Sequence, residues 1–173
     1  MSEPTGDELT AIRARRDELR AKYLNALDGR RPTNAGGVHH AAFICKDVEE
    51  TIRFYQDFLG FPLVELVENR DYAGSNHFFF DIGNHNMLGF FDFPGYEVPD
   101  FHETIGALQH MALSVSDEQF TAAKARLDEA GVEYLGPDRG ANDSLYFRDP
   151  NGLGLELYRE TLGVFEGTRL LPE

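Results

Sequence analysis

Apolar and polar positions follow two periods along this chain, and the switches between them mark its elements. Leu9, Ile12, Leu19, Tyr23 and Leu27 recur at roughly helical spacing. Thr5-Gly6-Asp7-Glu8 ahead of them has the form of a capping box, and Gly29 with Pro32 gives a stop. This predicts a helix in front of the main domain, packing on the body or on a twin subunit, with Thr33–Gly37 as linker. From Val38 the pattern changes. Val38–Cys45 is an apolar run that reads as a buried strand. Asp47 then caps a helix with Glu50 three residues on, Ile52, Tyr55 and Leu59 form its apolar face, and Gly60 ends it. Phe61–Glu68, His77–Ile82 and Met87–Phe93 follow as strands.

The same order returns. Leu108–Val115 reads as a strand, and Ser116 or Asp117 caps a helix through Phe120, Ala123 and Leu127 that stops at Gly131. Val132–Leu135, Ser144–Arg148 and Leu153–Arg159 complete the set, with Asp149-Pro150-Asn151-Gly152 as a turn. The letters repeat as well. HHAAFICKD from His39 matches QHMALSVSD from Gln109, and His40 and His110 lie 70 residues apart. Each stands seven residues before an Asp, Asp47 or Asp117. The chain is thus a duplicated βαβββ module of about 60 residues, too few copies for a solenoid. The expected fold is α+β: two βαβββ modules forming one cupped, mixed-sheet domain with an N-terminal helical extension. Its parts are residues 1–36 (helix and linker), 37–160 (modules 37–97 and 107–160) and a tail, 161–173.

Composition narrows the partners. The chain has 173 residues, 42% of them hydrophobic, enough to bury a real core. Its net charge of -14 disfavours nucleic acid and anionic membrane surfaces as partners. The charge is uneven: residues 1–36 hold seven Lys/Arg against six Asp/Glu, and the remainder nine against 24. The single cysteine, Cys45, rules out an internal disulfide. No apolar run reaches the roughly 20 residues of a membrane span, and the polar first residues are not a secretory signal. A soluble, cytoplasmic protein is expected.

His40 and His110 hold the same place in the two modules, so pseudo-symmetric packing would turn their imidazoles toward each other. Imidazole is the commonest metal ligand. Glu156 stands between Leu155 and Leu157 in the last strand, and alternation puts it on the opposite sheet face from them. A carboxylate in so apolar a strand is costly unless paired or bound to a metal. Two His and one Glu on one side of an ion form the facial set of non-heme Fe(II) oxygenases. His39 competes with His40, and register with His110 selects His40.

HHAAFICKDVEETIRFYQDFLGF and LYFRDPNGLGLELY resemble the vicinal oxygen chelate superfamily, over about residues 37–160. That superfamily includes glyoxalase I, methylmalonyl-CoA epimerase, fosfomycin-resistance transferases, bleomycin-resistance proteins and extradiol dioxygenases. The resemblance implies a homodimer and one divalent ion per chain held by His40, His110 and Glu156. Fe(II) stands first, with Mn, Zn, Ni or Co as alternatives. It also implies a small-molecule substrate whose two adjacent oxygens chelate that ion. Glyoxalase I and the epimerase resemble each other in a fourth ligand on the last strand of module one. Here that strand is NMLGFFDF, where Gly89 aligns best with Glu156 and Leu88 is the alternative. Neither binds a metal.

Leu145-Tyr146, Asp149-Pro150, Gly152 and Glu156 match part of the extradiol signature. The His upstream of the Leu-Tyr pair is absent, its place falling on Pro137, Asp138 or Arg139. Arg139 would orient an anionic substrate, since a guanidinium is a poor proton shuttle. Tyr146 is a candidate hydrogen-bond donor, and His77 a candidate base lining the cup. His102, in the intermodule segment Pro94–Ala107, would sit on a lid. The expected function is a metal-dependent, dioxygenase-like enzyme of the extradiol type. The alternatives are a glyoxalase- or epimerase-type lyase/isomerase, or a metal-free drug-binding resistance protein.

Overall fold

A computed structural model describes residues 4–97, 99–137, 143–159, 163–166 and 169–172. The chain divides into a unit of residues 1–36 and a unit of residues 37–173. In the first, helix α1 spans Gly6–Tyr23, followed by a 3-10 turn at Leu27–Gly29. Two details differ from expectation. Thr5 precedes the helix without a side-chain capping bond. The helix is entered through Gly6 at φ 55°, a left-handed residue where a capping box needs regular helix. The helix also ends at Tyr23, because Leu24 is extended, so Leu27 lies outside it and α1 buries none of its side chains.

In the second unit, β1 (His40–Ile44) leads to α2 (Val48–Ile52), which continues as π-helical turns over Arg53–Phe58. The Asp47 carboxylate caps α2 by accepting from the Glu50 amide at 2.7 Å. Strands β2 (Leu63–Glu68), β3 (Asn76–Asp81) and β4 (Met87–Phe91) follow, in the sheet order β1-β4-β3-β2. Only β1 and β4 run parallel. Phe78, Phe80, Leu88 and Phe90 are fully buried on one face, as strand alternation requires of the side under the helix. His77, Phe79 and Gly89 lie on the other.

Module two repeats this with β5 (Met111–Ser114), α3 (Asp117–Ala130), β6 (Ser144–Arg148) and β7 (Gly154–Tyr158), in the order β5-β7-β6. Here Ser116 is the cap, in a full capping box with Gln119, one place earlier in the repeat than Asp47. Gly131 closes α3 in the left-handed conformation at φ 66°. The expected strand Val132–Leu135 is a single bridge, Leu135 to Tyr146, so this sheet has three strands rather than four. Two short strands, β8 (Gly163–Glu166) and β9 (Arg169–Pro172), pair beyond the module, in the stretch expected to be tail.

One cluster of buried apolar residues runs through both modules. Polar links reinforce it. Tyr55 is fully buried against Phe80 and Phe90, and its phenol donates to Asp149 Oδ2 at 3.0 Å. The Lys46 amide donates to Asn151 Oδ1 at 2.9 Å, and Asn151 Nδ2 donates to the Thr51 hydroxyl at 3.2 Å. The turn after β6 therefore locks onto the end of β1 and the start of α2. The segment expected to be a lid is tied to the same place. Asp100 pairs with Lys46, Glu103 with Arg148, and the Arg148 guanidinium lies over Phe101. Among the described residues no helix is long and apolar enough to cross a membrane.

Candidate metal centre

Glu156 sits mid-strand in β7, opposite Ala112 of β5 and Tyr146 of β6. The residue is 5% exposed. One oxygen, Oε1, accepts from the Tyr146 hydroxyl at 2.6 Å and the Ser144 hydroxyl at 2.7 Å. Both donors stand on β6 two residues apart, so both reach the same face. These bonds offset the cost of burying the charge and fix the carboxylate's orientation. The other oxygen, Oε2, faces His110 Nε2 at 3.0 Å. His110 precedes β5 by one residue, and its Nδ1 bonds the Gln109 side-chain oxygen.

With its proton on Nδ1, the His110 ring would donate to that amide oxygen, which only accepts. In the neutral ring that leaves a lone pair on Nε2 opposite a carboxylate oxygen. Such a pair is stable only with a proton or a metal cation between the two atoms. Two donors 3.0 Å apart also match neighbouring ligand positions around an ion bound at about 2.1 Å. The outer hydrogen bonds from Ser144, Tyr146 and Gln109 are those that orient ligating carboxylates and imidazoles in metal sites. His110 and Glu156 thus supply two donors of the kind a divalent cation takes.

His40 has the corresponding place in module one and is exposed. Its Nδ1 lies 2.8 Å from His39 Nδ1, one of the two donating, so His39 and Gln109 perform the same service for their neighbours. His40 does not join the other pair, however. Among the described residues no three His, Cys, Asp or Glu side chains come close enough to hold one ion. Ala42, Ile44, Ala112 and Ser114, which share strand faces with His40 and His110, are exposed too. The inner faces of the two sheets thus stand open within one chain. An open depression of about 1120 Å³ lies over module two, lined by His110, Tyr146, Glu133, Leu135 and Arg148.

Pairing register settles the alignment of the modules. Ala42 and Ala112 each follow their His by two residues, and they pair with Gly89 and Glu156 respectively. Gly89, not Leu88, is the counterpart of Glu156. By the same register Phe79 corresponds to Tyr146, and His77 to Ser144. His77 stacks on Phe91, with ring centroids 3.8 Å apart, and lies 4.2 Å from Phe79. Its Nε2 is buried with no hydrogen-bond partner. Burial first, then the neighbouring His40, pushes its pKa below the usual imidazole value. Arg139 lies outside the described residues.

Three supporting roles escaped the reading of the sequence: those of Ser144, of Gln109 and of His39, which was weighed only as a rival of His40. Ser144 has a signal in its two-residue spacing from Tyr146, and the other two in their shared place before the repeated His.

Residues 37–157 match the model of the Glyoxalase/Bleomycin resistance protein/Dioxygenase superfamily. The chain belongs to this superfamily. It is 30% identical over 132 residues to the metallothiol transferase FosB of Shouchella clausii, covering 73% of this chain and 82% of that one. It is 24% identical over 124 residues to the catechol-2,3-dioxygenase of Bacillus subtilis, covering 71% of this chain and 41% of that one. A glyoxylase/bleomycin resistance protein/dioxygenase domain from Frankia has a similar fold, with TM-score 0.65 and 20% identity over 74% of this chain and all of that one. The chain spans about two fifths of the length of the ring-cleaving dioxygenases it matches. The superfamily includes dioxygenases, glyoxalases and fosfomycin-resistance transferases.

Proposed function

We propose that this protein is a metal-dependent enzyme acting on a small substrate through two adjacent oxygens, of the dioxygenase-like kind. The observation that carries this reading is the His110–Glu156 pair, 3.0 Å apart and braced by Ser144, Tyr146 and Gln109. His40 is the third ligand. Because His40 stands away from that pair within one chain, the site joins two copies in a homodimer. His40 comes from one copy, His110 and Glu156 from the other, across the open sheet faces.

The ion supplies Lewis acidity toward the chelated oxygens and, as Fe(II), the redox chemistry of an oxygenase. Glu156 brings negative charge to the site and keeps it there, because Ser144 and Tyr146 hold its outer oxygen. Tyr146 lies at the wall of the depression, where its ring bounds the substrate. His77, neutral near pH 7 and unpartnered at Nε2, accepts a hydrogen bond or a proton from a substrate hydroxyl. Phe79 and Phe91 flank it and exclude water. Gly89 offers no carboxylate where a proton-abstracting isomerase would use one, which favours the oxygenase reading over a glyoxalase-type lyase.

The test is metal content by elemental mass spectrometry after anaerobic purification, with a His110→Ala variant alongside. About one ion per chain, lost in the variant, is the expected result. Iron leads to oxygen-uptake assays with catechols and related diols. Zinc, nickel, cobalt or manganese redirects the search to lyase, isomerase or transferase chemistry. A native protein that takes up no metal even on reconstitution overturns the enzyme reading in favour of a binding protein.

A further inference from the structure

We infer that Arg148 selects the substrate: its guanidinium binds a carboxylate carried by that molecule, in the place that Glu103 takes in this structure. This rests on the reading of the depression over module two as the substrate site, and on no metal. Arg148 shares one face of β6 with Ser144 and Tyr146, by strand alternation. Its cross-strand neighbour on β7 is Gly154, which has no side chain to cover it. On the far side of that glycine stands His110. A Cβ built on Gly154 would lie 3.2 Å from His110 Cβ and 2.8 Å from the Gln109 carbonyl oxygen. His110, Gly154 and Arg148 thus form one row across the sheet, a notch with the imidazole on one wall and the guanidinium on the other. At the usual strand spacing those two Cα atoms are about 10 Å apart. Glu156 and Tyr146 stand in the next row along.

Charge identifies the ligand. Among the described residues lining the depression, Arg148 is the only Lys or Arg, in a chain of net charge -14. Its Nη1 donates to the Gly152 carbonyl oxygen at 2.7 Å, which anchors the side chain. Its Nη2 makes a single bond to Glu103 Oε1 at 3.2 Å, and both side chains are about half exposed. An exposed pair held by one bond contributes little. A carboxylate arriving through the notch therefore exchanges for Glu103 at small cost, and Arg148 keeps its anchor on Gly152. Glu133 lines the same depression and Glu156 borders it, so a second negative charge is repelled. The ligand is a small monoanion, with its carboxylate at one end and uncharged oxygens at the end facing His110.

The test is binding to the full-length protein in chelator, followed by NMR titration, with benzoate as the acid and benzamide as its neutral counterpart. Benzoate is expected to bind more tightly than benzamide. Arg148→Met weakens benzoate about tenfold and leaves benzamide unchanged. Glu103→Gln tightens benzoate severalfold, because it removes the competing carboxylate, and leaves benzamide unchanged. A merely structural role for the Arg148–Glu103 pair produces no such gain, and this arm decides alone if Arg148→Met does not fold. Unchanged or weaker benzoate binding in Glu103→Gln overturns the inference. So does an equal loss of both probes in Arg148→Met, or no benzoate binding at millimolar concentration in either the native chain or Glu103→Gln. Metal content, measured separately, keeps the two readings apart. A native chain that holds metal but does not prefer benzoate loses the inference and keeps the metal reading. One that takes up no metal but binds benzoate through Arg148 keeps the inference and loses the metal reading.

Discussion

Tyr146 donates to Oε1 of Glu156 at 2.6 Å, which commits that oxygen and leaves Oε2 for His110 Nε2. The two oxygens of one carboxylate thus have separate duties. Removing the hydroxyl leaves Oε1 held by Ser144 alone, and the cost should be read in metal binding rather than in folding. Tyr146→Phe is expected to weaken Mn(II) binding about tenfold by titration calorimetry, and Ser144→Ala by a similar factor. Glu156→Gln, which removes the charge itself, should abolish it. Unchanged affinity in Tyr146→Phe would show that the bond is incidental.

The contact between Tyr55 and Asp149 makes a second prediction. Asp149 is 4% exposed and also accepts from the Asn151 and Leu153 amides. Tyr55→Phe keeps the ring among Phe80 and Phe90 and removes one donor from a buried carboxylate. A loss of about 1–3 kcal/mol is expected in urea denaturation, with no change in metal content. Because the bond joins the two modules, a loss near zero would mean that module docking depends on apolar packing alone.

The duplication, the caps of α2 and α3 and the strands of module one were legible in the sequence because each has a local cause. Asp47 and Ser116 answer to capping chemistry, and Phe78 and Phe80 to period-two burial. The repeat also placed His40 in the first strand and alternation placed Glu156 in the last, while His110 falls one residue ahead of β5. Less legible were groups whose role depends on a partner far away. Ser144 looks like the polar start of any strand until Glu156 is placed beside it. Val132–Leu135 has strand-like letters, yet only Leu135 finds a neighbour. The separation of His40 from His110 and Glu156 has no local signal, since a repeat shows that two modules are alike and not which copies face each other.

Cys45 offers a test of burial that is independent of the metal. It is 1% exposed, and burial pushes its pKa up to about 11. The thiol should therefore resist iodoacetamide at pH 8 in the folded protein and react once the chain is unfolded. The same shift has a sign for stability. An unfolded cysteine ionises near pH 8.5 while the folded one stays protonated, so this contribution is complete below that pH. It is lost as pH rises toward about 11, and Cys45→Ala should flatten that part of the profile. Rapid alkylation of the native protein would contradict the burial.

The two-copy site yields the sharpest prediction. His40→Ala and His110→Ala should each bind no metal alone. When the two variants are unfolded together and refolded, half of the resulting dimers pair unlike chains. In such a dimer one site receives both damaged residues and the other receives the intact His40 of one chain with the intact His110 and Glu156 of its partner. About a quarter of all sites should therefore recover metal. A site contained in a single chain recovers none, because no chain in the mixture carries both residues. The recovered fraction thus distinguishes the two arrangements without any knowledge of the substrate. Its failure would require each chain to fold its own sheet faces together, bringing His40 to His110 and Glu156 by a rearrangement of the modules.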